Sequence, residues 1–188
     1  MIRLILILFL TGCVNIDYSY FGYLKNSLER ERIEINQEVI DASSYSFIKV
    51  NFMRREATFI LSSIDKNNVM RWIGTNGEVI QTLDGIIVSI GGFGPSFEIL
   101  NVMDLSLLVK ENTSYKLNFY NPQLFNVEVK TYISNNSTKD FIEVNKSIDF
   151  LSWSKKDEYY FSEGTLTKTK QFVSPLYGPI SIDFYYVY

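Results

Sequence analysis

The stretch 69–90, VMRWIGTNGEVIQTLDGIIVSI, decides the fold class of this chain. Its short apolar segments are separated by Asn76-Gly77 and by Asp84-Gly85. Such dipeptides are strong hairpin signals, because the favoured two-residue turn needs positive φ at both of its central positions. The segments leave no room for crossover helices between them. The stretch therefore predicts an antiparallel meander.

The same pattern of strands and turns continues on both sides of this meander. Upstream, segments 44–52 and 57–64 form a predicted hairpin around a polar turn at 54–56, and a second turn follows at 65–68. A short amphipathic N-terminal helix is predicted within 23–32, from apolar residues at helical spacing. Further strands are predicted at 114–121, 124–133, 158–163, 165–173 and 180–188. Together these segments predict an all-β, mainly antiparallel fold, either a strongly curved sheet or a barrel-like domain, since closure hides strand edges.

Two segments interrupt the pattern. Gly91-Gly92-Phe93-Gly94-Pro95 predicts a bend rather than a nucleotide-binding loop, because it lacks the Gly-x-Gly-x-x-Gly order and a following Lys-Ser/Thr. Residues 96–109 fit no single period, and a helical turn is predicted near 103–107.

Residues 165–172 alternate along a predicted strand. Thr169 and Gln171 fall on one face of it, and Leu166 and Phe172 fall on the other. Because threonines and lysines dominate this segment, the alternation predicts that one of the two faces is partly wet.

The first thirteen residues, MIRLILILFLTGC, have the order of an export signal. A positive end is followed by an apolar run that is too short for a membrane-spanning helix, which needs roughly 20 residues. Leu10-Thr11-Gly12-Cys13 resembles a bacterial lipobox, which implies that Cys13 is the lipid attachment site. The resulting prediction is a signal peptide at 1–12, a tether at 13–22 and a single β domain at 23–188. The alternative is a short buried N-terminal strand in which Cys13 is an ordinary apolar residue.

Composition excludes several classes of function. The chain has 188 residues, a net charge of −3, no His and a single Cys. The charge gives no basic surface for nucleic acid, and one Cys forms no internal disulfide. The absence of His removes the usual general base and the commonest zinc ligand. We therefore expect no enzymatic activity, no metal site and no cofactor.

Several short motifs follow one another in order, at 35–40 leading to Tyr45 and Ile48, and then at 70–72, 76–78, 84–88, 91–92, 164–165, 170–171 and 174–175. The order and spacing of these motifs resemble the capsule and exopolysaccharide lipoproteins of the GfcB/YjbF family, which include YmcC-like proteins. Two positions depart from that family's pattern: Ile86 stands where an Arg is usual, and Tyr160-Phe161 stands where a Trp is usual. The resemblance implies an outer-membrane lipoprotein whose barrel-like β domain faces the periplasm.

The resemblance implies a role in capsule or exopolysaccharide production or secretion, without a defined catalytic activity. The expected partners are the membrane, through lipidated Cys13, and either polysaccharide secretion proteins or the polysaccharide itself. Direct glycan binding is the alternative function, and Trp72, Trp153 and Tyr177 are candidate contacts because aromatic rings stack on sugars. For each of these rings, the ordinary interpretation is a side chain buried in the core.

Overall fold

The computed structural model describes residues 43–92, 94, 96–101, 113–121 and 123–187. These residues form twelve antiparallel strands that close into one barrel, in which each strand pairs with its sequence neighbours and β12 pairs with β1. The strands are β1 (Phe47–Phe52), β2 (Arg55–Ile64), β3 (Met70–Gly74), β4 (Val79–Leu83), β5 (Ile86–Gly91), β6 (Phe97–Leu100), β7 (Thr113–Tyr120), β8 (Gln123–Ile133), β9 (Phe141–Ile148), β10 (Trp153–Ser162), β11 (Thr165–Gln171) and β12 (Ile180–Tyr185).

The all-β, antiparallel, barrel-like fold is confirmed, with two strands more than the sequence indicates. β9 has no counterpart among the predicted strands, and β6 occupies the start of the ambiguous segment 96–109. The helical turn near 103–107 and the N-terminal helix within 23–32 lie outside the described residues. The only helical element among the described residues is the 3-10 turn Asp149–Leu151, between β9 and β10.

The hairpin turns differ in detail from the predicted ones. Asp84 and Gly85 both have positive φ, as the two-residue turn requires. At Asn76-Gly77 only Gly77 does, and its amide donates to the carbonyl of Gly74, so this turn is one residue longer and carries a bulge. The predicted turn at 54–56 is misplaced: Met53 and Arg54 form it, both with positive φ, whereas 55 and 56 belong to β2.

Alternation along the strands separates an apolar interior from a charged outer face. Trp72, Phe59, Phe97 and Phe119 are among the largest fully buried side chains. The outer face carries ion pairs, Lys49–Glu56, Lys130–Asp149, Lys156–Glu143, Lys168–Asp183 and Lys170–Glu158. This is the pattern of strands whose outer side is in water. Among the described residues, no helix combines the length and the apolar character that crossing a bilayer demands.

The strict alternation predicted for 165–172 is wrong. Leu166, Thr169 and Gln171 are all buried, although Leu166 has the opposite parity to the other two. The reason is a bulge in the pairing of β10 with β11, where the register shifts between Tyr160 and Phe161 and the neighbouring residues of β11. One polar stretch of β11 therefore faces the interior of the barrel.

Because the strands run up and down in sequence order, the turns that follow odd-numbered strands all lie at one end of the barrel. We call it the odd-strand end. It carries the turn at 53–54, the turn at 75–78, the Asp149–Leu151 turn and the long connection 172–179. The chain enters β1 at the opposite end.

Candidate functional site

The barrel interior contains an unexpected group of buried polar side chains, which we call the interior polar cluster. Its members lie on β7, β9, β10 and β11, four strands of one wall. On β7 and β9 the inward direction follows from the parity of the buried apolar residues Leu117 and Val144. On β11, Thr169 and Gln171 are buried on the far side of the bulge from Leu166. The cluster consists of the buried Lys146, Asp157, Tyr159, Thr169 and Gln171 and the partly buried Tyr115.

The centre of the cluster is an ion pair between the ammonium of Lys146 and the Oδ2 atom of Asp157. The side chain of Asp157 has no exposed surface, and that of Lys146 is 7% exposed. The Oδ1 atom of Asp157 accepts a hydrogen bond of 2.8 Å from the Phe172 amide, and the Tyr159 hydroxyl lies 3.5 Å from Oδ2. Both charges are therefore removed from water and held by each other and by neighbouring donors.

Burial and pairing act against each other on the ionisable groups. Burial alone would lower the pKa of Lys146, but the nearby Asp157 and Tyr115 outweigh it and raise this pKa above its usual range. Burial raises the pKa of Asp157, and the ammonium of Lys146 opposes that shift. Burial also raises the pKa of Tyr115 and, further, that of Tyr159. At neutral pH the lysine is therefore charged and both tyrosines are neutral.

Gln171 connects this wall to the opposite one. Its Oε1 atom accepts from the Ile87 amide at 3.0 Å, and its Nε2 atom donates to the Gly85 carbonyl at 2.7 Å. The pairing of β4 with β5 is irregular at this point, which leaves these backbone groups to be satisfied from elsewhere. In the part of the chain that the structure describes, every buried side-chain nitrogen and oxygen has a hydrogen-bond partner.

The inner face of β10 continues from the cluster toward the odd-strand end. Trp153 lies opposite Ile148, and Lys155 lies opposite Lys146, so both share the inward face of Asp157. Lys155 is nevertheless exposed, with its ammonium 5.5 Å from the centre of the Phe172 ring. Solvent therefore reaches the inner face of β10 within two residues of the buried Asp157.

The structure separates the predicted site residues. Trp72 is fully buried, donates its indole N–H to Thr82 at 2.9 Å and offers no surface to a sugar or a partner. Trp153 and Tyr177 are partly buried, and both belong to the odd-strand end, where the Tyr177 ring packs edge-on against Phe52. Cys13 lies outside the described residues.

A polar groove of about 610 Å³ is lined by residues of β7, β8 and β9. Most of its lining residues carry hydroxyl groups, and a partly exposed tyrosine ring and one charge of each sign complete it. Hydroxyl, ammonium and carboxylate groups beside an aromatic ring are suited to the hydroxyls and rings of a sugar. The lining residues are Thr113, Ser114, Glu128, Lys130, Thr131, Tyr132 and Ser147.

In the described ranges, no three His, Cys, Asp or Glu side chains lie close enough together to hold a metal ion.

The sequence did not identify Lys146 and Asp157, the buried ion pair at the centre of the interior polar cluster. The one available signal is weak: Asp157 shares strand parity with Tyr159 and Phe161, which suggests an inward position. Charged neighbours on both sides of Asp157 hide that signal.

These features define a class: a closed twelve-stranded antiparallel barrel with an apolar interior, a buried polar cluster and a charged outer face. No family model matches the sequence, and no curated protein matches it. Among solved structures, the chain is similar to the hypothetical lipoprotein YmcC from Escherichia coli K12. The TM-score is 0.65 at 10% sequence identity, over 90% of this chain and 95% of that one. At this identity the similarity demonstrates a shared fold.

Proposed function

We propose that this protein is a lipid-anchored outer-membrane lipoprotein whose barrel faces the periplasm and assists capsule or exopolysaccharide production or secretion without catalysing a reaction. The observation that carries the proposal is the lipobox-like Leu10-Thr11-Gly12-Cys13, placed directly after a short apolar run. Its support from structure is the similarity in fold to a protein described as a lipoprotein, which extends over nearly all of both chains.

An assisting, non-catalytic role is consistent with the polar groups of the barrel. Both oxygens of the Asp157 carboxylate are engaged, Oδ2 by Lys146 and Oδ1 by the Phe172 amide, and the side chain has no exposed surface for a substrate to contact. The hydroxyls of Tyr115 and Tyr159 remain protonated far above neutral pH, because burial raises both pKa values. Groups held in this way stabilise a scaffold and are poor general acids or bases near pH 7.

The lipid anchor is tested by replacing Cys13 in cells that are supplied with labelled palmitate. Cys13→Ala should abolish lipid incorporation and release the protein from the outer-membrane fraction, because the thioether can no longer form. Val14→Ala, which retains the cysteine, is the matched control and should behave as the wild type. Persistent labelling of Cys13→Ala, or its unchanged recovery with the outer membrane, would refute the anchor.

The role in polysaccharide production is tested by deleting the gene and measuring surface and secreted polysaccharide. We expect reduced output, restored by the wild-type chain and poorly restored by Cys13→Ala. Full output in the deletion strain would contradict the proposed role while leaving the anchor intact.

A second candidate is a module that binds the polysaccharide directly, and the groove on β7–β9 favours it. Tyr132 lines this groove and is about half exposed, so its ring is available for stacking. Tyr132→Ala should weaken binding in a calorimetric titration with envelope polysaccharides. Tyr160→Ala, which removes an exposed ring outside the groove, is the control. No heat of binding with the wild-type protein would exclude this alternative.

A further inference from the structure

Large apolar side chains are exposed on the turns of the odd-strand end, although turns are ordinarily built from small and polar residues. Each of these side chains is between 38% and 66% exposed. We call this set the apolar rim, and it consists of Met53, Tyr120, Phe125, Phe150, Leu151 and Leu176.

The apolar rim follows consecutive turns around the barrel. Met53 lies between β1 and β2, Tyr120 and Phe125 flank the turn between β7 and β8, and the remaining members lie in the β9–β10 and β11–β12 connections. The closed order β7 to β12 and then β1 and β2 makes these four turns neighbours. The turn between β3 and β4 carries Asn76 and Gly77 instead. Among the described residues, the exposed apolar side chains of this end are therefore concentrated at these four neighbouring turns.

Local contacts hold parts of the rim in place. The rings of Tyr120 and Phe125 pack edge to face with centroids 6.3 Å apart, and the Tyr120 hydroxyl donates to Glu98 at 2.8 Å. Phe150 belongs to the 3-10 turn, which ends at Ser152 in the left-handed conformation. Because these rings are already held in place, they lose little conformational entropy on binding.

A lipid surface fits this arrangement better than a folded partner does. The rim presents aromatic and aliphatic side chains on and beside hairpin turns, and such side chains insert at the boundary of headgroups and acyl chains. A protein partner would be matched better by a continuous groove or flat face with a central pocket.

The length of chain before the barrel allows the rim and Cys13 to reach one membrane. Residues 14–42 number 29 and span at most about 100 Å when extended, at roughly 3.5 Å per residue. The longest strand has 11 residues, which corresponds to about 37 Å. A chain that is anchored at Cys13 and enters β1 at the opposite end can therefore extend past the whole barrel.

We propose that the apolar rim docks on a lipid bilayer and orients the barrel with its odd-strand end against the membrane. The role of this contact in the cell rests on the proposed lipid anchor at Cys13, but binding of the rim to lipid does not itself require lipidation. It is therefore tested in full-length protein carrying Cys13→Ser, so that failure of the anchor and failure of the rim are separate results.

Trp153 is a built-in reporter, since it begins β10 directly after the turn that carries Phe150 and Leu151. The probe is a vesicle of phosphatidylethanolamine and phosphatidylglycerol with brominated acyl chains, because bromine quenches indole fluorescence at short range. We expect quenching in the Cys13→Ser background, and we expect Trp153→Phe to abolish it, because Trp72 is the only other tryptophan and is buried in the barrel.

The rim itself is tested by Phe150→Asp combined with Leu176→Asp. This variant should partition into the vesicles at least about tenfold more weakly, because two exposed apolar side chains no longer enter the lipid. The matched control is Ile60→Asp combined with Ile64→Asp, which alters two half-exposed apolar side chains of β2 away from the rim. Circular dichroism checks that both variants fold.

Three results would overturn the proposal. They are an unquenched Trp153 in the presence of vesicles, equal loss of partitioning in the rim and control variants, and self-association of the wild-type chain through the rim without any lipid binding. The last of these is detected by sedimentation, with the rim variant as the monomeric reference.

Discussion

Removal of Lys146 should be among the most damaging single changes in the barrel. Lys146→Met keeps a long apolar stem but deletes the ammonium that pairs with Asp157. The carboxylate then remains in a site with no solvent exposure. Breaking a buried pair in this way costs about 3–5 kcal/mol, because the uncompensated charge cannot recover its hydration.

The structure places the expected loss near the lower end of that range, at about 3 kcal/mol. Asp157 keeps one good hydrogen bond, from the Phe172 amide, and the more distant hydroxyl of Tyr159. Protonation of Asp157 also reduces the loss of stability. Burial raises the folded-state pKa of Asp157, and without Lys146 only the hydrogen bonds from the Phe172 amide and the Tyr159 hydroxyl oppose this shift. The folded variant therefore binds a proton more readily than the unfolded chain does, and its deficit should shrink as the pH falls.

Urea unfolding at pH 7 and again near pH 5, followed by far-ultraviolet circular dichroism, measures both effects. The double variant Lys146→Met, Asp157→Leu completes a mutant cycle, and its loss should be smaller than that of Lys146→Met alone. A loss below about 1 kcal/mol at pH 7, or a deficit that grows on acidification, would refute the assignment of a buried, charged pair.

Two further perturbations test other parts of the interior. Gly85→Ala should cost roughly 1–3 kcal/mol, because Gly85 has a φ of +82° and a Cβ atom there would lie 1.9 Å from Leu166 Cδ2. Gly77→Ala has the same φ with nothing within 4 Å, so its loss in thermal unfolding should be smaller, and equal losses would contradict the packing argument. Raising the pH above about 10 should destabilise the barrel, since the lysine and both tyrosines of the interior polar cluster have raised pKa values and bind more protons when folded. The free energy of unfolding should fall by up to about 1.4 kcal/mol per pH unit for each group, and Tyr159→Phe should reduce that slope; a pH-independent free energy would contradict it.

Most of the barrel could be predicted because its strands obey the period of two between Gly- or Asn-containing turns. β9 escaped prediction because Lys146 stands at a core position among Val144 and Ile148, so the strand lacks a clean apolar face. The first turn was misplaced because Met53 and Arg54 adopt positive φ, which side chains of this kind rarely do. Residues whose conformation is imposed by tertiary contacts leave no local sequence signal.

The candidate site was harder to predict than the fold. Aromatic residues identified Trp153 and Tyr177, which lie at the same end of the barrel, but the same criterion also selected the buried Trp72. Nothing local distinguishes a lysine that points into a barrel from one that points into water, because the difference lies in the strands across from it. The partners Lys146 and Asp157 are eleven residues apart on different strands, and only the pairing of β9 with β10 brings them together.

The interior polar cluster also fixes which residues of neighbouring strands face each other. An apolar interior alone distinguishes the two faces of a strand but tolerates a slip of two residues, which returns every side chain to its own face. Asp157 lies opposite Val144, one inward pair along the strand from Lys146. A two-residue slip that places Asp157 opposite Ile142 would therefore move it about 7 Å farther from Lys146 and leave two buried charges apart. A slip of β11 would likewise separate Gln171 from the backbone groups of Gly85 and Ile87 on the opposite wall. The cluster therefore penalises by several kcal/mol the misaligned barrels in which these partners are separated, a discrimination that the apolar core by itself does not supply.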